Sequence, residues 1–446
     1  MQAKFVLLLT IVLCNIGLAQ EKTYSFTLDE AVSFALENNY SAINASRDII
    51  AAQKQKWETI ASGLPQINGS ISYQNQLKQP VSLIPGEFAG GAPGTFVPIV
   101  FGQAQTATAT ATLSQQIFDG SYIVGVQAAK VFLNYSANNK EKSNLDIRKA
   151  TTEAYGNVLL AQESVAILEK NKETLAKTLF ETTKIFENGL EEEESVEQLQ
   201  ITLSSVDNQL KNAVRLKDIT LQMLNLVMGI SIDAPTQLED SLDILTENQI
   251  KFDLLETDLT IENNVDYKLA TNFNQQRFYE HKLAKSRALP SLNAFVNYGT
   301  SAFSDEFNFF NSEQKWYNSS ILGVDLNIPI FSSLKRSAST QRAKIELEKA
   351  KTQLQEAEQQ IRLQLANAKS NYLLAIENYQ TTKDNLSLAE RIEKKNQIKY
   401  FEGLATSFEL RQAQTQLYST QQEYLQSMIE VINKKTELEI ILNTQS

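Results

Sequence analysis

Apolar and polar positions along the chain follow two periods, and the switch between them marks the predicted elements. Leu347, Leu354, Ile361, Ala368 and Ala375 recur at intervals of seven. Val196, Leu199, Leu203, Val206, Leu210 and Ala213 step alternately by three and four, and Leu410, Ala413, Leu417, Thr420, Tyr424 and Ser427 repeat that pattern. A stripe this narrow, rich in small and polar residues, is a coiled-coil seam; it joins helices side by side and cannot fill a thick globular core. From Ser121 to Glu187 there is no Pro and only Gly125 and Gly156, and from Ser332 to Glu402 there is neither Pro nor Gly. A helix of about 70 residues reaches about 105 Å at 1.5 Å per residue.

Between the helices the period becomes two. Ile67, Gly69, Ile71 and Tyr73 alternate with Asn68, Ser70, Ser72 and Gln74, and Thr alternates with Ala from Thr106 up to Leu113. Leu292, Ala294, Val296 and Tyr298 alternate with Asn293, Phe295 and Asn297, where Phe295 breaks the polar face. Leu322, Val324, Leu326, Ile328 and Ile330 alternate with Gly323, Asp325 and Asn327. Strands are therefore predicted at about 66–76, 104–118, 291–303 and 316–331. One apolar and one polar face over roughly ten residues is the pattern of a transmembrane β-strand. In the last strand the even positions are expected to face lipid, and the odd ones, Asp325 and Asn327, the lumen.

The plan occurs twice. Glu37-Asn38-Asn39 recurs as Glu262-Asn263-Asn264, and Leu64-Pro65 as Leu289-Pro290, at an offset of 225. Ile117-Phe118 matches Ile330-Phe331 at 213, and Gly189-Leu190 matches Gly403-Leu404 at 214. The change of offset places an insertion between Pro80 and Gln103, a Pro- and Gly-rich segment predicted as a loop. The expected organisation is a first repeat over 20–229, a linking segment over 230–260 and a second repeat over 261–446.

Composition narrows the function. Lys4 followed by the apolar run Phe5–Leu18, with Gly17 and Ala19 before Gln20, predicts an export signal over 1–19. Cys14 follows Leu13, where lipoprotein processing calls for a small residue, so a lipid anchor is not expected. The net charge of −11, with 41 Lys and Arg against 52 Asp and Glu, opposes nucleic-acid binding. No apolar run reaches the 18 residues of a spanning helix. With one His, His281, and one Cys, a His-based triad, a multi-His metal site and a disulfide within the chain are all unavailable. No phosphate-binding loop is present, no cofactor is called for, and the chain is not expected to be an enzyme.

Lipid tolerates no open sheet edge, and membrane barrels begin at about eight strands. Four strands must therefore be pooled with other copies; three copies supply twelve, and two also reach the minimum. The order of signal, helix with Ala35-Leu36-Glu37-Asn38-Asn39, Leu-Pro before a strand, long helix, Gly-Leu turn and helix, twice over, resembles the TolC-type outer membrane efflux family across essentially the whole exported chain. Phe186-Glu187-Asn188-Gly189-Leu190 and Tyr400-Phe401-Glu402-Gly403-Leu404 look like that family's helix-to-helix turns. The resemblance implies a mixed α+β membrane protein: a homotrimer in the outer-membrane lipid, with a 12-stranded barrel continued by an α-helical coiled-coil tunnel into the periplasm. It implies a passive exit duct for efflux or type I secretion, docking a periplasmic adaptor and an inner-membrane transporter. Asn39 departs from the family pattern, where many members have Pro, so the helix break there is expected to be less defined. The run Glu191, Glu192, Glu193 and Glu194 is not part of that pattern either. It suits the positive end of a helix dipole, and in several copies would also form an acidic tunnel mouth. Gly189, Leu190, Gly403 and Leu404 are the expected docking tip. The rival reading is a soluble periplasmic coiled-coil adaptor or scaffold without a pore, which leaves the amphipathic strands unexplained.

Overall fold

The computed structural model describes residues 24–443, so the export signal expected over 1–19 lies outside the described residues. In chain order the elements are β1 (Tyr24–Phe26), α1 (Leu28–Asn38), α2 (Tyr40–Ala61), β2 (Gln66–Asn75), β3 (Val81–Pro85), β4 (Phe96–Val100), β5 (Gln105–Asp119), α3 (Gly120–Glu187) and α4 (Glu193–Met228). They continue with β6 (Thr236–Leu238), α5 (Leu242–Asn248), α6 (Asp253–Glu256), α7 (Val265–Ser286), β7 (Ser291–Ser304), β8 (Trp316–Asn327), α8 (Lys335–Phe401) and α9 (Ser407–Leu442). The order helix, two long strands, very long helix, helix occurs twice, with matched lengths. The first helices, α2 and α7, have 22 residues each. The long ones, α3 and α8, have 68 and 67, and the last ones, α4 and α9, have 36 each. Among the described residues no helix is long and apolar enough to cross a membrane. Residue contacts divide the chain into two units, one holding 50–134 and 272–352, the other the remainder.

The first of these units holds a four-stranded antiparallel sheet in the order β2-β5-β7-β8. Register aligns Ile67, Leu113, Val296 and Leu322 in one row across the sheet, and Ile71, Ala109, Thr300 and Asn318 in another. Side chains two apart on a strand share a face, so one face collects the Ile, Leu, Val and Ala positions. The opposite face carries Asn68, Ser70, Thr108, Thr110, Asn297, Ser301, Asp325 and Asn327. Phe295, Phe303 and Ile321 are large apolar exceptions on that polar face, and Phe295 sits beside Gly323. The Phe295 ring lies where the Cβ of a non-glycine residue at 323 would sit, 2.4 Å away, so Gly323 leaves it room. Among the described residues the outer strands β2 and β8 are each paired on one side only.

Strand bounds fall within a residue or two of the sequence pattern, with one correction. The last strand stops at Asn327 and does not run to 331. Its partner begins at Ser291, opposite Asn327, directly after Pro290, and Pro329 lacks the N–H a longer ladder would need. The chain then turns through Ser333 and Leu334, both with positive φ, while the Arg336 guanidinium donates to Pro329 O at 2.6 Å and Ile330 O at 3.2 Å. A second correction concerns 80–103, which is not an irregular loop. β3 and β4 pair there as an antiparallel ribbon, closed by a 3₁₀ turn over Gly86–Ala89. In a two-stranded ribbon each strand keeps a free edge, where a Pro such as Pro98 costs no ladder bond.

The second unit is helical, and its main core lies at the α1 end. Phe26, Leu28, Ala31, Val32 and Ala35 pack there with Tyr155, Val158, Leu224, Tyr372, Leu425, Ile432 and Leu438. α1 opens on a capping box, in which Glu30 N–H donates to Thr27 Oγ1 and the Glu30 carboxylate accepts from Thr27 N–H. The buried Tyr155 hydroxyl is tied to Phe26 O at 3.0 Å and Asp240 Oδ2 at 2.7 Å. The 230–260 segment contributes to this core: β6 pairs in parallel with β1, and Leu242 and Leu245 are buried. The expected seam holds, with Leu199, Val206 and Ala213 packed against Val165, Leu168 and Leu175. Leu410, Ala413, Leu417, Thr420 and Ser427 are likewise buried on α9.

The break after Asn38 is sharper than the sequence suggested. Asn39 leaves helical geometry at ψ 138° and its side chain replaces what a proline would impose. Oδ1 accepts from Ser41 N–H at 2.7 Å, opening α2, and Nδ2 donates to Val227 O at 2.6 Å.

Candidate functional site

The helix-to-helix turns form one composite structure within the helical unit. α3 ends in a Schellman cap: Gly189 takes φ +75°, its N–H donates to Phe186 O at 2.8 Å, and Leu190 N–H reaches Ile185 O at 3.1 Å. α8 ends the same way, with Gly403 at φ +73°, bonded to Tyr400 O at 3.0 Å, and Leu404 N–H on Lys399 O at 2.7 Å. Positive φ strains a residue with a Cβ, which is why Gly stands at both positions. The Leu after such a glycine commonly packs back onto its own helix. Here Leu190 is 80% exposed and Leu404 73%.

The two turns are bonded to each other. The Tyr400 hydroxyl donates to Glu191 Oε2 at 3.1 Å and lies 3.1 Å from Thr182 Oγ1. Ser195 Oγ, on α4, donates to Glu191 Oε1 at 2.8 Å and lies 2.9 Å from Ser407 Oγ, on α9. The Arg411 guanidinium stacks 5.5 Å from the Phe408 ring and hydrogen-bonds Gln198 Oε1. Burial, reinforced by the Glu191 carboxylate against the opposing Thr182 bond, pushes the Tyr400 phenol up to about 12. The starts of α4 and α9 differ: Thr406 forms a capping box with Glu409, whereas Glu192 makes no side-chain cap bond.

The acidic run therefore divides. Glu191 is half-buried and occupied by Tyr400 and Ser195, so it is not one of four equivalent solvent carboxylates. Glu192, Glu193 and Glu194 are exposed, with Glu194 accepting from Gln198 Nε2 at 2.7 Å. Glu193 and Glu194 occupy the first turn of α4, where the helix dipole favours a negative charge. The turn motif contains Tyr400 without revealing its role, and Thr182, Ser195 and Ser407 do not stand out in the sequence. The only local signal for them is that small hydroxyl residues stand near each turn.

Asp325 and Asn327 lie opposite Asn293 and Ser291 on the polar face of the sheet, as the alternation requires. They stand far along the sequence from the turns and belong to the other unit. His281, on α7, is half-buried; desolvation, followed by the positive charges of Lys285 and Lys344, holds its imidazole below the ordinary value. Among the described residues no group of three His, Cys, Asp or Glu side chains is arranged to hold a metal ion.

Comparison with known proteins places this geometry. The family model described as "outer membrane efflux protein" matches residues 31–230 and 258–444. The chain is 23% identical over 326 residues to the alkaline protease secretion protein AprF of Pseudomonas aeruginosa, a match covering 70% of this chain and 65% of that protein's length. Its fold is similar to that of the outer membrane protein VceC of Vibrio cholerae, with a TM-score of 0.70 at 17% identity, covering 93% of this chain and 95% of the other. CusC gives 0.73 at 16% identity over 93% and 92%, and the Campylobacter jejuni CmeC outer membrane channel 0.70 at 19% over 93% and 85%. With a sheet of one apolar and one polar face, paired Gly-Leu turns and a family match over most of its length, the chain belongs to the outer membrane efflux protein family and is an outer-membrane protein.

Proposed function

We propose that three copies of this chain form a passive exit duct through the outer membrane. The observation that carries this reading is the four-stranded sheet, apolar on one face and polar on the other, whose outer strands β2 and β8 each lack a second neighbour among the described residues. An edge of unpaired N–H and C=O groups is not tolerated in lipid, and the economical remedy is pairing β8 of one copy with β2 of the next. Cyclic closure over three copies gives twelve strands. The apolar face then meets lipid, and the polar face, with Asp325 and Asn327, lines the lumen. The matched lengths of the two helix sets support descent from one duplicated unit, and the long helices supply the wall of a tunnel open to the periplasm.

The exposed Leu190 and Leu404, each carried on one of the two bonded turns, suit docking of a periplasmic adaptor that links the duct to an inner-membrane transporter. The exposed carboxylates Glu192, Glu193 and Glu194, repeated in each copy, favour cations at the tunnel mouth. The duct carries no chemistry of its own, in keeping with relatives that are channels. A pore-less adaptor is disfavoured because it has no use for a two-faced sheet. The mass in mild detergent tests the reading: a particle of three chains with single-channel conductance in a planar bilayer is expected, and a stable monomer would overturn it.

A further inference from the structure

The connection between β7 and β8 is a built structure and not a slack turn. Ala104 N–H donates to Asp305 Oδ1 at 3.0 Å, Gln105 Nε2 reaches Asp305 O at 3.3 Å, and Gln314 Nε2 ties back to Phe303 O at 3.1 Å. Within residues 305–315 stand three phenylalanines, Phe307, Phe309 and Phe310. Phe309 is buried and forms a small core with Ala107 and Ala302. Those alanines face each other in the ladder, in a row that runs Tyr73, Ala107, Ala302, Trp316 across the four strands. The row has aromatic ends and a shallow middle, and Phe309 occupies that middle.

The side of the sheet decides the meaning. Two-residue steps put Tyr73, Ala107 and Ala302 on the face of Ile67, Leu113, Val296 and Leu322, the apolar one. The loop thus folds down over the apolar face and not across the polar one. Tyr73 packs edge-on against Phe307 at 5.4 Å and Phe309 at 5.8 Å, and Phe307 meets Phe310 at 6.0 Å. Phe310 is nevertheless 92% exposed and Phe307 61%. Anchored by Phe309, the loop displays two bare rings continuous with the apolar face, flanked by the charges of Asp305, Glu306, Glu313 and Lys315.

We propose that loop 305–315 is a membrane-interface anchor, with Phe307 and Phe310 seated among outer-leaflet lipid at the boundary of headgroups and acyl chains. Aromatic rings with polar neighbours favour that depth. The anchor fixes how far each copy sits in the bilayer and leaves the polar side of the sheet clear for passage. It rests on the outer-membrane barrel reading above.

Depth-dependent quenching tests it. The only Cys of the full chain is Cys14, inside the expected export signal, so one introduced Cys gives a single labelled site. Phe310→Cys, Leu322→Cys on the apolar face and Ala92→Cys in the β3–β4 ribbon are labelled with an environment-sensitive fluorophore. Each is reconstituted in phosphatidylcholine vesicles carrying nitroxide on the headgroup or along the acyl chain. The 310 label should be quenched several-fold more by headgroup nitroxide than the 92 label, and be shielded from iodide. Quenching at 322 with a 310 label as open to iodide as 92 would overturn the anchor while leaving the barrel. A 310 label shielded from both quenchers would place the loop against another copy and overturn the lipid assignment. Absence of lipid quenching at 322 would overturn the barrel reading and the anchor with it.

Discussion

The phenol of Tyr400 donates to the carboxylate of Glu191 at 3.1 Å, joining the end of one long helix to the turn that follows the other, 209 positions away. Thr182 shares that hydroxyl, and Ser195 takes up the second oxygen of Glu191. The two Gly-Leu turns are thereby one structural object, and this bond is its buried centre.

Tyr400→Phe should loosen that object without unfolding the chain. Removing a hydroxyl shared by the buried Thr182 and the half-buried Glu191 costs about 1 kcal/mol. Hydrogen exchange should accelerate at 188–195 and 402–407 and remain unchanged in the core around Tyr155. Unaltered exchange at the turns would show that the bond contributes nothing to holding them together.

Leu190→Asp combined with Leu404→Asp should abolish export while leaving the oligomer intact. Both side chains are largely exposed, so their replacement removes little packing within the chain. A cell-based export assay read beside native mass measurement checks both halves. Normal export would leave the turns as helix caps only.

Leu322→Arg should impair membrane assembly, and Ser319→Arg should not. Leu322 lies on the apolar face in the row of Ile67, Leu113 and Val296, well inside the ladder, whereas Leu326 stands one residue from its end. Arg at mid-membrane on a lipid face costs about 2–4 kcal/mol, falling towards the interfaces. Heat-resistance of the assembled oligomer on gels and bilayer conductance measure the outcome; the reverse pattern would shift the register by one residue.

An epitope inserted beside Ala92 should be labelled on intact cells. Gly90 and Gly94 have open space around them, and the turn lies at the end of the β3–β4 ribbon, which has few ties to the sheet. Surface labelling with normal assembly is expected. Labelling seen only after the cells are opened would invert the strand topology.

Acid should weaken the pairing of α3 with α4 through Asp207. Lys172 and Lys211, each 2.6 Å away, hold its carboxyl at about 2, down from an ordinary 3.8. A lowered folded value contributes stability that is complete above pH 3.8 and is lost as pH falls towards 2. Asp207→Asn should therefore lower the thermal midpoint near neutrality, and the difference from the parent should vanish near pH 2. A gap independent of pH would assign the effect to packing.

Most of the architecture was legible without coordinates, for a local reason. The strand starts follow Leu64-Pro65 and Leu289-Pro290, and the long helices end at Gly189 and Gly403, because proline and glycine act on their own backbone and immediate neighbours. The two-faced sheet and the narrow seams were visible as periods of two and of three-to-four, since side-chain direction repeats with the backbone. The recurring order of elements has a counterpart in short matches such as Glu37-Asn38-Asn39 and Glu262-Asn263-Asn264.

The work those residues do was decided by tertiary structure alone. Asn39 Nδ2 donates to Val227 O, and Asn264 Nδ2 donates to Ile441 O at 2.9 Å, so the same asparagine in each half pins the end of a 36-residue helix. In the sequence Asn39 looked like a missing proline, because its acceptor lies 188 positions away. The segment 80–103 looked like a loop because Pro and Gly dominate its composition, whereas its ribbon depends on pairing Val81 with Val100 across the turn. In the sequence Glu191 is the first residue of an acidic run, and nothing there points to Tyr400, 209 positions away, as its partner. A residue's period and backbone preference are fixed by its near neighbours. Its partner is chosen by which distant groups packing brings within about 3 Å, and no pattern within a single stretch of chain carries that information.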